Sequence, residues 1–386
     1  MGVIICGTTA YQYWRIPPIV KLLAVGSSDN SLLPKLITEH ELTALRLELT
    51  EGLSLNRLCS APRRTQGRDL RIVRETSELI ALCAEPPLEL LARNQNQKHS
   101  CVAAKYSLWQ SDLPIGSIRE ITFDLDVTSP AFTMLQLASR SSLVRTVLLA
   151  SELCGNFAVY RAPRPMAAQL ERMARRGDLQ AIDGWRPCLT SGGKLTDLWM
   201  RPPIVSVDDL GDLLAQSESR CGRKALAEAI QLVKPYAASP FEVQAGVLLG
   251  LSRRRGGAGF GDFSFNEKVE LTSRARLLGQ RSFCLCDLYW PDGLDVECQS
   301  AMFHDNSDSY ISDADRISAL SLMGVKVLPL TYAQLRDAER FSAFAGAVAR
   351  ALGRPHREKT DLQKTAALRL RDEVFVNWWK LPFCSS

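Results

Sequence analysis

FCLCDLYWPDGLDVECQ, residues Phe283 to Gln299, is the stretch on which the fold turns. Two strand-like runs, Phe283 to Trp290 and Leu294 to Ser300, are joined by Pro291-Asp292-Gly293, which suits a three-residue hairpin loop with glycine in the left-handed position. A hairpin centred on Asp292 sets Trp290 opposite Leu294 and Asp287 opposite Glu297, with Asp295 and Gln299 on the same face. Directly opposed side chains lie ~5 Å apart, and like charges there repel, so a cation or a shared proton has to relieve two carboxylates. Oxygen donors of this kind suit Mg²⁺, which binds through one or two carboxylates, water and substrate phosphate, and that is phosphodiesterase chemistry. On spacing alone, solvent-facing acids on an edge hairpin are an equally good reading. A bulge at Gly293 would slip the register and undo the pairing.

Working outward, Ser239-Pro240 opens a helix running to about Ser252, and Arg253 to Gly261 is a basic, glycine-rich loop. Phe263 to Leu271 alternates as a strand. After the hairpin, Ser312 with Asp315 caps a helix that stops at Gly324, Val325 to Leu330 reads as a buried strand, and a last helix covers about Ala333 to Leu352. The order α-β-β-β-α-β-α defines a unit over residues 236–353. Before it, residues 1–235 read as an α+β region with an internal boundary near residue 95. There Ser100–Trp109 and Ile118–Val127 are β-like, Ser129-Pro130 opens a helix, and Arg172–Leu179 and Leu210–Val233 look helical. Residues 354–386 form a tail with a basic helix, Lys364 to Arg371, and a Trp378-Trp379 pair for which packing on the body is favoured over base stacking.

Composition narrows the function. At ~150 residues per domain, 386 residues imply two or three domains, and a formal charge of +5 is too small for a wholly electrostatic nucleic-acid binder. No apolar run approaches the ~20 residues of a membrane span, and the start MGVIICGTTA lacks the pattern of a signal peptide, so the expectation is a soluble, cytoplasmic protein without a membrane partner. The 11 cysteines include no Cys-x-x-Cys pair, which argues against a disulfide framework or zinc knuckle and makes Cys284 and Cys286 core residues. The run from Arg253 follows a helix and precedes a strand, the reverse of a nucleotide-binding loop; Arg253, Arg254 and Arg255 are instead candidates for tracking a DNA backbone. His40, His99 and His356 have no partner in catalytic spacing, and no Gly-x-Ser-x-Gly elbow occurs.

The segment Ser239 to Gly353 resembles the PD-(D/E)xK nuclease superfamily, in particular its branch related to very-short-patch repair endonucleases. The resemblance rests on Glu242 in Ser-Pro-Phe-Glu, Asp287 in Cys-Asp-Leu-Tyr-Trp-Pro, Glu297 in Val-Glu-Cys-Gln-Ser, then His304, and Tyr310-x-x-Asp313-x-x-Arg316-x-x-x-Leu320-x-x-x-Gly324 leading into Val-Lys-Val-Leu-Pro-Leu-Thr. It implies a restriction-endonuclease-like αβββαβ core and a DNA endonuclease of repair or phage defence. In that reading Asp287 and Glu297 hold Mg²⁺ or Mn²⁺, Glu242 approaches from the helix, and Arg316, with Asp313 and His304, contacts phosphate or braces an acid. The sequence departs from the pattern at Gln299, where the superfamily has Lys, at Ser300, and at His304, one residue late. Those departures fit an alternative, a catalytically impaired DNA-binding regulator. Upstream, Asp126 to Ala138 and Arg223 to Ala229 resemble AbiEi-type antitoxins of actinobacteria, which implies a toxin partner beside DNA.

Overall fold

The computed structural model describes residues 3–25, 37–52, 87–98, 104–122, 125–190, 192–217, 221–279, 282–299, 307–355 and 357–383. His99, Ser300, His304 and His356 lie outside the described residues. The chain is a mixed α+β protein, with three sheets among the described residues. The first, in order β3-β2-β1-β5-β4, is built on β1 (Val3–Ile5), β2 (Leu88–Ala92), β3 (Ala104–Leu108), β4 (Ile118–Thr122) and β5 (Leu125–Thr128). The wholly apolar Val-Ile-Ile of β1 makes it the centre, parallel to β5 and antiparallel to β2, with both faces covered. Helices α1 (Gly7–Arg15), α2 (Pro18–Val25) and α3 (Glu39–Gly52) belong to this part.

Ser129 accepts from Phe132 N and starts α4 (Pro130–Ala138); Ser142 does the same for α5 (Leu143–Leu153). The second sheet, in order β6-β8-β7, comprises β6 (Phe157–Val159), β7 (Arg186–Leu189) and β8 (Leu195–Met200), with α6 (Arg164–Arg176) against it. Helix α6 starts earlier than expected and stops at Gly177. The expected helix Leu210–Val233 is two, α7 (Val207–Gln216) and α8 (Arg223–Ile230). Gly222 separates them at φ +87°, where a Cβ would stand 2.4 Å from the Leu135 carbonyl oxygen, so the chain breaks to let two helices pack closely.

Helix α9 (Pro240–Gly250) then leads to the third sheet: β9 (Ser264–Glu270), α10 (Ser273–Gly279), β10 (Phe283–Trp290), β11 (Leu294–Gln299), α11 (Ser307–Leu322) and β12 (Lys326–Thr331). Its order is β12-β11-β10-β9, antiparallel except for β11 beside β12. The hairpin has the expected register, Trp290↔Leu294, Tyr289↔Asp295 and Leu288↔Val296, with Gly293 at φ +81°. Trp290 is fully buried and donates to Phe260 O at 3.1 Å, pinning the turn. Three element readings need correction. Helix α10, between the first two strands, was not expected. Helix α11 starts at Ser307, five residues ahead of the expected cap at Ser312. The last helix is two, α12 (Tyr332–Arg336) and α13 (Ala338–Ala351), because Asp337 leaves the helical conformation to accept Arg340 N at 2.8 Å.

The main core cluster runs from Ile4 to Leu381 and crosses residue 235 without a break. Helix α14 (Asp361–Val374) and the tail close it. Trp378 is buried and Trp379 packs beside Tyr160, so the tryptophan pair is part of the body, as the packing alternative required. Its anchor is Glu152 of α5, fully buried, which accepts from Arg15 Nε at 2.8 Å, Val159 N at 2.9 Å, Tyr11 Oη at 3.2 Å and Trp378 Nε1 at 2.6 Å. Removing one partner of a buried ion pair strands the other charge, at a cost of about 3–5 kcal/mol. Glu152→Gln therefore lowers the urea midpoint sharply, whereas Arg15→Met with Glu152→Leu recovers much of the loss; equal destabilisation by the two variants would show that the charge pair is not what ties the tail down.

Candidate functional site

The hairpin ladder ends at Leu288↔Val296, one step short of Asp287 and Glu297. At that step β10 and its other neighbour, β9, change the face they present, whereas β11 keeps Leu294, Val296 and Cys298 in one cluster. Cys284 and Cys286 pack with Ala319 and Leu320 of α11, whereas Leu288 and Trp290 pack with α9; on β9, Val269 goes with the first group and Phe265 with the second. Regular alternation would keep Cys286 and Leu288 together. The switch occurs at Asn266, held in the left-handed region at φ +50°, and at Asp287 opposite it. Asn266 Nδ2 donates to Glu242 Oε2 at 2.7 Å and to Tyr236 O at 2.9 Å, so the strained residue is fixed by the helix terminus it faces.

Glu242 sits in the first turn of α9, 6% exposed, and completes a reciprocal cap with Ser239: Glu242 N donates to Ser239 Oγ at 3.2 Å and Ser239 Oγ to Glu242 Oε1 at 2.8 Å, with Ala238 N at 2.7 Å on Oε2. Asp287 accepts from Cys298 N at 2.8 Å, taking a donor that the ladder would otherwise use. Asp295, fully buried across from Tyr289, accepts from Arg316 NH2 at 3.4 Å through Oδ2. Its Oδ1 has no hydrogen-bond partner among the described residues, and the neighbouring Cys286 thiol is a weak donor. Arg316 of α11 donates from NH1 to Glu297 Oε2 at 2.8 Å and pairs with the same carboxylate through NH2. Asp287 feels both sides, because Glu242 is pushed up by its charge and Asp287 itself feels Asp295 and Arg316.

Among the described residues Arg316 is the one cation bonded to these carboxylates, and it reaches two of the four, Asp295 and Glu297. Burial holds Glu242 well above the usual carboxylate range, and the Asp287 charge adds to it. Burial likewise raises Asp287 and Asp295, against the Cys298 amide and the Arg316 guanidinium respectively.

The expected site residues divide accordingly. Glu242 and Asp287 lie within reach of each other's charge, whereas Glu297 is tied to Asp295 through Arg316. Arg316 braces two acids, one of the two roles set out for it. Gln299 ends β11 opposite Thr331, half-buried, and Asp313 falls on α11. Arg253 donates to Arg357 O at 2.8 Å and Glu358 O at 2.7 Å, and Arg255 pairs with Glu228, so the loop is docked rather than a free connector; Arg254 is exposed. Asp295 and Asn266 were not singled out as site residues. The hairpin register already placed Asp295 two residues from Glu297 on one face, whereas nothing in the sequence marked the face switch at Asn266. No group of three His, Cys, Asp or Glu side chains is gathered tightly enough for a metal ion among the described residues. The chemistry of the set still suits a hard divalent cation, with oxygen donors, surplus buried negative charge and the unpartnered Asp295 Oδ1.

No protein family, curated protein or solved structure matches this chain.

Carboxylates with folded pKa values above their unfolded ones bind more protons when folded, so the stability linked to them is complete below the unfolded value near ~4 and is lost as pH rises through the folded value. Urea unfolding should therefore show wild type losing on the order of 1–3 kcal/mol relative to Asp295→Asn between about pH 5 and about pH 8. Parallel pH profiles for the two proteins would mean that Asp295 carries no buried charge.

Proposed function

We propose that the hairpin site belongs to a metal-dependent DNA endonuclease of the PD-(D/E)xK type, with Ser239–Gly353 as its restriction-endonuclease-like core. The observation that carries this reading is the surplus of carboxylate at buried Glu242, Asp287 and Asp295 and part-buried Glu297 over the single Arg316. A structural hairpin gains nothing from such a surplus, whereas a cation site requires it. Further support comes from the helix-strand-strand-strand-helix-strand order, interrupted by α10, and from the mixed sheet in which the last strand runs parallel to the third.

Asp287 and Glu297 would hold Mg²⁺ or Mn²⁺, which would polarise a DNA phosphate and lower the pKa of a bound water. Glu242, fixed by Ser239, Ala238 and Asn266, orients the end of α9 against Asp287 and keeps that carboxylate high in energy when it is charged. Arg316 competes with any cation for Glu297, and Gln299 cannot supply the charge or the base that Lys would. That competition favours a second reading, a DNA-binding regulator or antitoxin that keeps the fold without the chemistry, working beside a toxin partner.

A plasmid-cleavage assay run beside a gel shift at two salt concentrations separates them. The nuclease reading expects cutting only with Mg²⁺ or Mn²⁺, lost in Glu297→Gln while DNA binding persists. The regulator reading expects salt-sensitive binding and no cutting with any metal. A protein that binds no DNA contradicts both.

A further inference from the structure

A second site lies away from the acids. Helix α5, the segment after α8, the middle of α9 and the entry to β9 enclose a cavity of about 140 Å³, with Val147, Val247, Phe263 and Phe265 among its walls. An apolar cavity of ~150 Å³ accommodates one benzene ring. This one is not wholly apolar. Ser151 of α5 lines it and is 2% exposed. Lys234 also lines it, half-buried, with its ammonium 5.0 Å from the Phe263 ring centroid and no ion pair among the described residues. The acid whose field reaches Lys234 is Asp262, and Arg354 already holds both Asp262 oxygens.

A half-desolvated ammonium without a counter-ion is costly, and an acceptor of opposite charge beside it would relieve that cost while accepting from the Ser151 hydroxyl on the same wall. Phosphate would need more donors than the two the cavity offers, and its hydration would be lost against apolar walls. We infer that this cavity binds a small aromatic monocarboxylate, its ring among Val147, Val247 and the two phenylalanines and its carboxylate accepting from Lys234 Nζ and Ser151 Oγ. Burial lowers the Lys234 pKa in the free protein, and a bound carboxylate would reverse that shift.

The test is ligand-observed NMR on the full chain with benzoate, with toluene as the ring without the charge and acetate as the charge without the ring. Benzoate should bind wild type more tightly than either control. Lys234→Gln should weaken benzoate about tenfold or more and leave toluene unchanged. Val147→Phe, which fills the space, should abolish both. Lys234→Gln is conservative at a half-exposed position and keeps the test valid if Val147→Phe fails to fold. Absence of benzoate binding to wild type, equal benzoate affinity in wild type and Lys234→Gln, or benzoate binding retained by a folded Val147→Phe would each overturn the assignment.

Discussion

Buried carboxylate charge must be matched, and this constraint organises the molecule. Glu152 meets it fully: Arg15, Tyr11, Val159 and Trp378 converge on a side chain with no solvent access, and through them the first helix, α5, the second sheet and the tail become one packed body. Glu89 meets it too. Arg140 grips both its oxygens and Thr8 N donates to it at 2.7 Å, which fixes the start of α1 against β2. Such pairs add less net stability than their geometry suggests, but breaking one is expensive, so they specify which elements meet.

The hairpin of the third sheet departs from that rule. Glu242 and Asp287 lie at the face switch with only neutral donors, and Arg316, the bonded cation among the described residues, reaches Asp295 and Glu297 alone. Burial is the main cause that raises the proton affinities of Glu242, Asp287 and Asp295. Acids perturbed by burial and by a neighbouring charge mark a candidate functional site. The chain that folds Glu152 into full compensation leaves this second cluster short, which makes the shortfall a property of the site rather than of the fold.

Much of this was legible in the sequence wherever a local rule decided the structure. Pro291-Asp292-Gly293 determined the turn and hence the register, Ser239-Pro240 the start of α9, and Ser129-Pro130 the start of α4. The misreadings occurred where tertiary contact overrode local pattern. Gly222 breaks a helical run because Leu135 packs against it, Asp337 breaks another by capping its successor, and the Arg253 loop is tied down by the backbone of a tail a hundred residues away. Alternation sets Asp287 opposite Glu297, but the ladder ends one step short of them, and what Asp287 contacts depended on a left-handed Asn266, for which an Asn in a strand gives no advance signal. Arg316 as a brace needed the helix after the hairpin to fold back, which spacing alone does not dictate.

The central claim is that the hairpin acids carry more buried negative charge than Arg316 neutralises. Carboxyl ¹³C NMR titration of aspartate-labelled protein, with resonances assigned through Asp287→Asn and Asp295→Asn, measures it directly. Both carboxyls should titrate above the ordinary aspartate value near ~4. If both titrate at or below that value, Arg316 and the backbone amides already compensate the cluster, and the account of the site is wrong.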